Sequence, residues 1–172
     1  MSAALLKPLC DELAVRLQDL ISLQGRLHET LQLKLEAMRR AHVEGMLATT
    51  RLERDLVQEV SRTDDARRDV VARMCAALNM TGMNRAISLR VLASRLDTAS
   101  RERLLKLADA LRQKMLAVGE SNRVSEMVCR EMMVHFKSLF AAMVQDESEP
   151  RTYQAGGDVG RSSGSRVLDA VG

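Results

Sequence analysis

The fold is decided by the stretch Leu104-Leu-Lys-Leu-Ala-Asp-Ala-Leu-Arg-Gln-Lys-Met-Leu-Ala-Val118, which begins a pattern that continues to Met143. The residues of this pattern recur at alternating spacings of four and three, which places them on one face of an α-helix. They are Leu104, Ala108, Leu111, Met115, Val118, Asn122, Ser125, Cys129, Met132, Phe136, Leu139 and Met143. A pattern this long predicts a helix that packs against a partner helix along one seam.

The start of this helix is marked by side chains that cap free backbone amides. Asp97 and Thr98 both carry suitable oxygens, so the cap is predicted at one of these two residues. Gly119 is unfavourable inside a helix by roughly 1 kcal/mol relative to alanine. The pattern nevertheless keeps its phase across Gly119, which predicts one continuous helix of about 45 residues, on the order of 65 Å long.

Two further apolar patterns precede this helix. In the first pattern, leucines that repeat every seven positions alternate with further residues of the same helix face. The pattern is Leu6, Cys10, Leu13, Leu17, Leu20, Gln24, Leu27, Leu31 and Met38. Pro8 is best tolerated in a first helical turn, so this helix is predicted to begin near Lys7. The second pattern comprises Met46, Leu52, Leu56, Val60, Val70, Met74 and Leu78. A tight reversal or a sharp kink near His42 is predicted between the two.

A short helix is predicted between the second and third long helices. Residues 79–82 form a break, in which Gly82 suits a left-handed helix cap. Residues 84–95 then fit a helix, and one face is shared by Ile87, Val91, Leu92 and Leu96. The predicted architecture is all-α, an elongated antiparallel helical bundle or coiled coil of three long helices plus a short connecting helix. The helical domain spans 1–145, and the Gly/Ser-rich segment 146–172 is predicted to be disordered.

Composition argues against several classes of function. The chain has 26 basic and 23 acidic residues with a net charge of +3, and the two signs are interspersed. Nucleic-acid binding is therefore disfavoured, because it usually requires a basic face with stacking aromatics. The N-terminus lacks the features of an export signal, and no apolar run is long enough to span a membrane. These features predict a cytoplasmic protein.

Catalytic and metal sites are also not indicated. The cysteines and histidines, which are Cys10, Cys75, Cys129, His28, His42 and His135, are scattered without metal-ligand spacing. No paired acid and base, activated nucleophile or phosphate-binding loop is recognisable. The sequence predicts a protein that is not an enzyme, with no cofactor and no small-molecule substrate.

The C-terminal segment carries a distinctive pair of motifs. Tyr153-Gln-Ala-Gly-Gly157 is followed, after a Gly/Ser/Arg spacer, by Val167-Leu168-Asp169-Ala-Val-Gly172. This ending resembles that of flagellar export chaperones of the FlgN family, in which Tyr-x-x-x-Gly precedes a terminal Leu-Asp-x-x-Gly. Gly119-Glu-Ser-Asn122-Arg123 is also similar to the Asn-Arg in the last long helix of that family.

The resemblance implies a function for the chain. Members of the family hold the hook-filament junction proteins FlgK and FlgL unassembled in the bacterial cytosol and bring them to the flagellar type III export apparatus. The family has no catalytic activity. Its clients present amphipathic C-terminal segments, and the last helix of the chaperone supplies much of the docking surface. Membrane contact is implied only through the export apparatus, whose export gate has a cytosolic domain.

The last helix carries more apolar surface than packing on one neighbour requires. The predicted client-binding residues are Val124, Met127, Val128, Met132, Met133, Phe136 and Phe140. Methionine-rich surfaces adapt to their partners, and an amphipathic segment folds into such a surface as a helix. The alternative is a wide core-facing stripe, which would make the protein a structural coiled-coil homo-oligomer or an adaptor.

Two further roles are predicted from the resemblance and the seam. Asn122 is interpreted as a buried polar residue that fixes helix register, with a client contact as the alternative. In the tail, Tyr153, Gly157, Leu168 and Asp169 are predicted to contact the export gate. The alternative for the tail is a solubilising end.

Overall fold

The computed structural model describes residues 3–80 and 89–147, with side chains described over 6–80 and 89–144. The described chain is all-α and has four helices: α1 (Ala3–Arg39), α2 (Val43–Ala77), α3 (Leu89–Ala93) and α4 (Thr98–Glu147). The prediction of three long helices and a short connecting helix is confirmed. The predicted Gly82 cap, Ile87 and the predicted disordered tail lie outside the described residues.

Helix α1 contacts both α2 and α4. In its predicted seam Leu6 is half-buried, and the following residues are all buried: Cys10, Leu13, Leu17, Leu20, Gln24, Leu27, Leu31 and Met38. Ion pairs join Glu12 to Arg73 at 2.6 Å and Lys34 to Glu53 at 2.7 Å. In these two ion pairs the residue number in α2 falls as the residue number in α1 rises, so the two helices are antiparallel.

Helix α4 runs in the same direction as α1. Asp11 pairs with Arg103 at 2.7 Å, His28 Nδ1 lies 3.0 Å from Ser121 Oγ, and Met38 Sδ lies 4.0 Å from Cys129 Sγ. In these three contacts the residue numbers of α1 and α4 rise together, so α4 packs on α1 in a parallel orientation. The long apolar pattern of α4 predicts that the other long helices pack against α4. In the structure, both α2 and α4 contact α1.

Two clusters of buried side chains form the core. The first joins all four helices through Cys10, Leu13, Ala14, Leu17, Val70, Met74, Leu92 and Leu104. The second contains Leu23, Leu27, Leu31 and Leu56, against which Val60 and Val118 pack. In α3, Leu92 and Ala93 are buried, but Val91 is 43% exposed. The predicted shared face is wrong at Val91, because five helical residues are too few to direct both neighbouring side chains inward.

The predicted reversal near His42 is confirmed. The Ala41 amide donates to the Met38 carbonyl at 3.0 Å, and the His42 amide donates to the Ala37 carbonyl at 2.9 Å. This pair of bonds is the Schellman arrangement, which requires a left-handed residue. Ala41 fills that position with φ of 50°. The reversal is therefore sharp although it contains no glycine at the left-handed position.

The end of α2 repeats this geometry. Met80 donates to the Cys75 carbonyl at 3.0 Å, and Asn79, whose φ is 53°, donates to the Ala76 carbonyl at 3.1 Å. Asparagine tolerates the left-handed region better than most residues with a side chain. Asn79 therefore supplies the left-handed residue at the end of α2, at the first position of the predicted break 79–82.

Replacing Ala41 with glycine is expected to stabilise the protein. A left-handed residue with a Cβ atom costs roughly 1–2 kcal/mol, and glycine avoids this cost. We expect Ala41→Gly to raise the free energy of unfolding by about 1 kcal/mol, measured by urea denaturation. The control is Ala110→Gly, at an exposed position inside α4, which should lower stability. A destabilised Ala41→Gly variant would contradict the interpretation of this turn.

The start of α1 differs from the prediction. The helix begins at Ala3 rather than near Lys7, and Pro8 lies inside it with an exposed side chain. Proline lacks the amide that would donate to the carbonyl four residues earlier. Near a helix end only one such bond is lost, and the outward-facing ring meets no partner helix. The predicted start at Lys7 is therefore four residues too late.

The start of α4 confirms the predicted cap and assigns it to Asp97. The Ser100 amide donates to Asp97 Oδ1 at 3.0 Å, and the Arg101 amide donates to the Asp97 carbonyl at 2.9 Å. Hydrogen bonds from the Ser100 amide and then from its hydroxyl lower the pKa of Asp97 below its ordinary value. The ionised carboxylate is thus the form that stabilises this helix end.

The cap predicts a pH-dependent effect of mutation. A depressed pKa in the folded state gives stability that is present above the unfolded pKa and lost as pH falls through the folded pKa. Asp97→Ala is expected to lower the Tm at neutral pH, and this difference from wild type should shrink as the carboxyl is protonated. Asp97→Asn is the control, because it keeps a capping oxygen that does not titrate. A Tm difference between Asp97→Ala and wild type that is the same at all pH values would refute the role of the charge.

Helix α4 is continuous through Gly119, as predicted. Its seam is only partly buried, however. Leu104 and Ser125 are 1% and 4% exposed, whereas Met115 is 55% exposed and Cys129 is also exposed. The expectation of one uninterrupted packed seam from Leu104 to Met143 is therefore wrong.

Candidate functional site: the apolar stretch of the last helix

The chain divides into two compact units, residues 1–133 and 134–172. In the second unit, the helical residues 134–144 are described with their side chains, and we call them the apolar stretch. Six of its side chains are large, apolar and 48–69% exposed, namely Val134, Phe136, Leu139, Phe140, Met143 and Val144. Such contiguous apolar exposure is typical of a surface that binds a partner.

The arrangement of the apolar stretch suits a helical partner. Phe136, Leu139, Phe140 and Met143 follow the spacing i, i+3, i+4, i+7 and lie on one face of the helix. Both phenylalanines of the chain are among them. An amphipathic helix can place its own apolar face against this kind of surface. The ionisable residues of the stretch are His135 and Lys137, so charge contributes little to it.

The predicted client-binding residues differ in how far their side chains are exposed. In the first unit, Met127 and Met133 are 55% and 58% exposed, whereas Val124, Val128 and Met132 are half-buried. In the second unit, Phe136 and Phe140 are 57% and 66% exposed. Met127, Met133, Phe136 and Phe140 are thus accessible to a partner.

The register between α1 and α4 can be followed within the first unit. The three contacts between these helices join residues 91 to 93 positions apart. Helix α1 ends at Arg39, one residue after the contact between Met38 and Cys129. This register therefore extends to about position 131 of α4.

Sequence reasoning missed part of this surface. Leu139 and Met143 were assigned to the packed seam but are exposed, and Val134 and Val144 were not singled out. The sequence carries no signal that separates them from packed residues, because a seam residue and a surface residue share the same spacing.

The expected register residue is not placed as predicted. Asn122 is exposed, which does not support its interpretation as a buried polar residue. At this level of the bundle, the polar contact with α1 is made by Ser121, which lies 3.0 Å from His28. The predicted export-gate residues Tyr153, Gly157, Leu168 and Asp169 lie outside the described residues.

The described residues offer little for covalent or metal chemistry. They contain no group of three or more His, Cys, Asp or Glu side chains arranged to hold a metal ion. Burial raises the pKa of the Cys10 thiol and of the Cys75 thiol, which keeps both in the less nucleophilic protonated form. Within the described part of the chain, no helix combines the length and apolarity needed to cross a membrane.

Comparison with known families identifies the chain. The family described as FlgN protein matches residues 1–160. The chain belongs to the FlgN family. No curated protein and no solved structure matches it. Members of the FlgN family are flagellar export chaperones, so the chain is a chaperone of flagellum biogenesis that binds flagellar export substrates. The family is one of chaperones and not of enzymes. The resemblance found in the sequence is thereby confirmed.

Proposed function

We propose that this FlgN protein binds the amphipathic C-terminal segments of hook-filament junction proteins of the FlgK and FlgL type. It holds these clients unassembled in the bacterial cytosol and delivers them to the flagellar type III export apparatus. The observation that carries the proposal is the apolar stretch, in which Phe136, Leu139, Phe140 and Met143 are exposed on one face of α4. The family match supports a client that is a flagellar export substrate.

The chemistry of the apolar stretch suits a disordered client. A segment that folds on binding must gain enough apolar burial to offset the cost of ordering it. Phe136 and Phe140 provide large apolar areas with few rotatable bonds, and Met143 provides a flexible side chain that adapts to the client. Within the first unit, exposed Met127 and Met133 are proposed to contact the client as well, as are half-buried Val124, Val128 and Met132.

Titration calorimetry tests the client. Synthetic C-terminal segments of the junction proteins are titrated into the full chain and into a variant truncated after Glu147, which keeps all of α4. We expect saturable binding to both forms. A segment with the same composition in scrambled order is the control, because it loses the amphipathic spacing. Absence of binding, together with a homodimer in light scattering, would favour the structural coiled coil instead.

We further propose that the tail contacts the cytosolic domain of the export gate through Tyr153, Gly157, Leu168 and Asp169. Tyr153 is the only tyrosine of the chain, and a large aromatic side chain is an effective anchor at an interface. Tyr153→Ala is expected to weaken gate binding without changing client binding, whereas Tyr153→Phe should retain most of it. Unchanged gate affinity and unchanged client secretion in Tyr153→Ala would refute this assignment.

A further inference from the structure

The attachment of α4 to the rest of the first unit changes character at Gly119. Before this residue the attachment is apolar. Leu104 is buried in the first core cluster, Leu107 and Leu111 pack against that cluster, and Val118 packs against the second. This part of α4 is therefore held by the same side chains that form the core.

After Gly119 none of the described residues of α4 belongs to either core cluster or packs against one. Val124, Val128 and Met132 are only half-buried, so they gain less from apolar burial than the core residue Leu104. Ser121 Oγ lies 3.0 Å from His28 Nδ1, and Cys129 Sγ lies 4.0 Å from Met38 Sδ. The hydrogen bond between Ser121 and His28 contributes little net stability, because water satisfies both groups when the helices separate.

Gly119 is also the weakest point of the helix itself. A Cβ atom added at this position would meet no atom within 4 Å, so close packing does not explain the glycine. Glycine inside a helix has more backbone freedom to lose than any other residue, which makes the helix easier to unwind there. The last contact of α4 with a core cluster, at Val118, and the weak point of the helix thus coincide.

We infer that Gly119 is a hinge at which the segment Ser121–Met133 opens away from α1 while residues 104–118 stay packed. Opening uncovers Ser125, His28 and Met38, of which Ser125 and Met38 are buried in the closed form. The inference rests on contacts within the first unit and does not depend on the proposed client. It predicts that buried side chains on the two sides of Gly119 become accessible at different rates.

Thiol labelling of the full chain tests the hinge. Ser125→Cys introduces a nearly isosteric thiol at a buried position of the opening segment, in a background of Cys75→Ala. Cys129 is kept, because its contact with Met38 belongs to the closed form, and cleavage after Glu126 separates it from position 125. Native Cys10, which is 5% exposed and belongs to the first cluster, reports opening of that cluster. Labelling is followed by mass spectrometry of proteolytic fragments. We expect the Ser125→Cys thiol to react at least about tenfold faster than Cys10 after correction for thiol pKa.

A pair of glycine variants separates a hinge from general loosening. Gly119→Ala is expected to slow labelling of the Ser125→Cys thiol about fivefold more than labelling of Cys10, a factor equivalent to the roughly 1 kcal/mol helix preference of alanine. Gly25→Ala in α1 is the matched control, because a Cβ atom there also meets nothing within 4 Å, and it should slow both thiols equally. Equal labelling of the two thiols, or equal effects of the two glycine variants on their ratio, would overturn the hinge.

Discussion

Replacing Phe136 and Phe140 together with aspartate is expected to weaken binding of a junction-protein C-terminal segment at least about thirtyfold. Both side chains are more than half exposed, so their loss removes client contacts without opening a cavity in the core. The new carboxylates would also be buried without a partner in the complex, which is unfavourable. Titration calorimetry gives the affinity, and circular dichroism shows whether the helix content is retained.

The control for this variant is Leu47→Asp on α2. Leu47 is 55% exposed, so the change places a charge on an equally exposed apolar residue outside the apolar stretch. We expect its client affinity to equal that of the wild type. Equal affinities of the Phe136→Asp/Phe140→Asp variant and the wild type would remove the apolar stretch from the binding surface. Loss of helix content in the double variant would show instead that these residues support the fold.

The largest effect on stability is expected from truncating a buried leucine of α1. Leu31 is 2% exposed and belongs to the second core cluster. Leu31→Ala should lower the free energy of unfolding by about 3 kcal/mol, through lost apolar burial and the cavity left behind. Urea denaturation followed by circular dichroism measures this change. The size of the effect follows from the contacts of this cluster with both α2 and α4, through Leu56 and Val118.

Leu33→Ala is the matched control, because Leu33 lies two residues away on the same helix and is 55% exposed. We expect this variant to change stability by no more than about 0.5 kcal/mol. Similar losses in the two variants would contradict the assigned faces of α1. A small loss in Leu31→Ala alone would show that the second cluster contributes little to folding.

The apolar pattern of α1 could be predicted from sequence because α1 is covered on two sides. Its repeat through Leu13, Leu20 and Leu27 matches the buried residues, since partner helices run along the helix and the spacing alone decides which face they meet. The Asp97 cap was predictable for a related reason. Capping depends on local chemistry, and the relevant donor lies only three residues away.

The same reasoning failed where the outcome depends on distant parts of the chain. The spacing of α4 shows which face it would offer to a partner, but it does not show which residues of that face are covered. Phe136 and Met143 continue the spacing of Leu104 yet are exposed. The left-handed residue at the end of α2 was not predicted for a local reason, because Asn79 occupies the conformation that glycine more often takes.

The candidate site was predicted in part. Phe140, Met127 and Met133 were expected beside the seam as an accessible surface, and all three are exposed. Leu139 could not be assigned from sequence, because a seam residue and a surface residue share the same spacing. The exposed fraction of the side chain, 48% for Leu139, separates the two interpretations.

Methionine methyl NMR tests most directly whether the apolar stretch binds the client. Met143 is 69% exposed and Met74 is fully buried in the first core cluster, so one methyl reports the proposed surface and the other reports the core. Met143→Leu and Met74→Leu assign the two resonances. On addition of a junction-protein C-terminal segment, we predict that the Met143 resonance shifts and saturates while that of Met74 stays in place. Saturable binding that leaves the Met143 resonance unmoved would contradict the central claim.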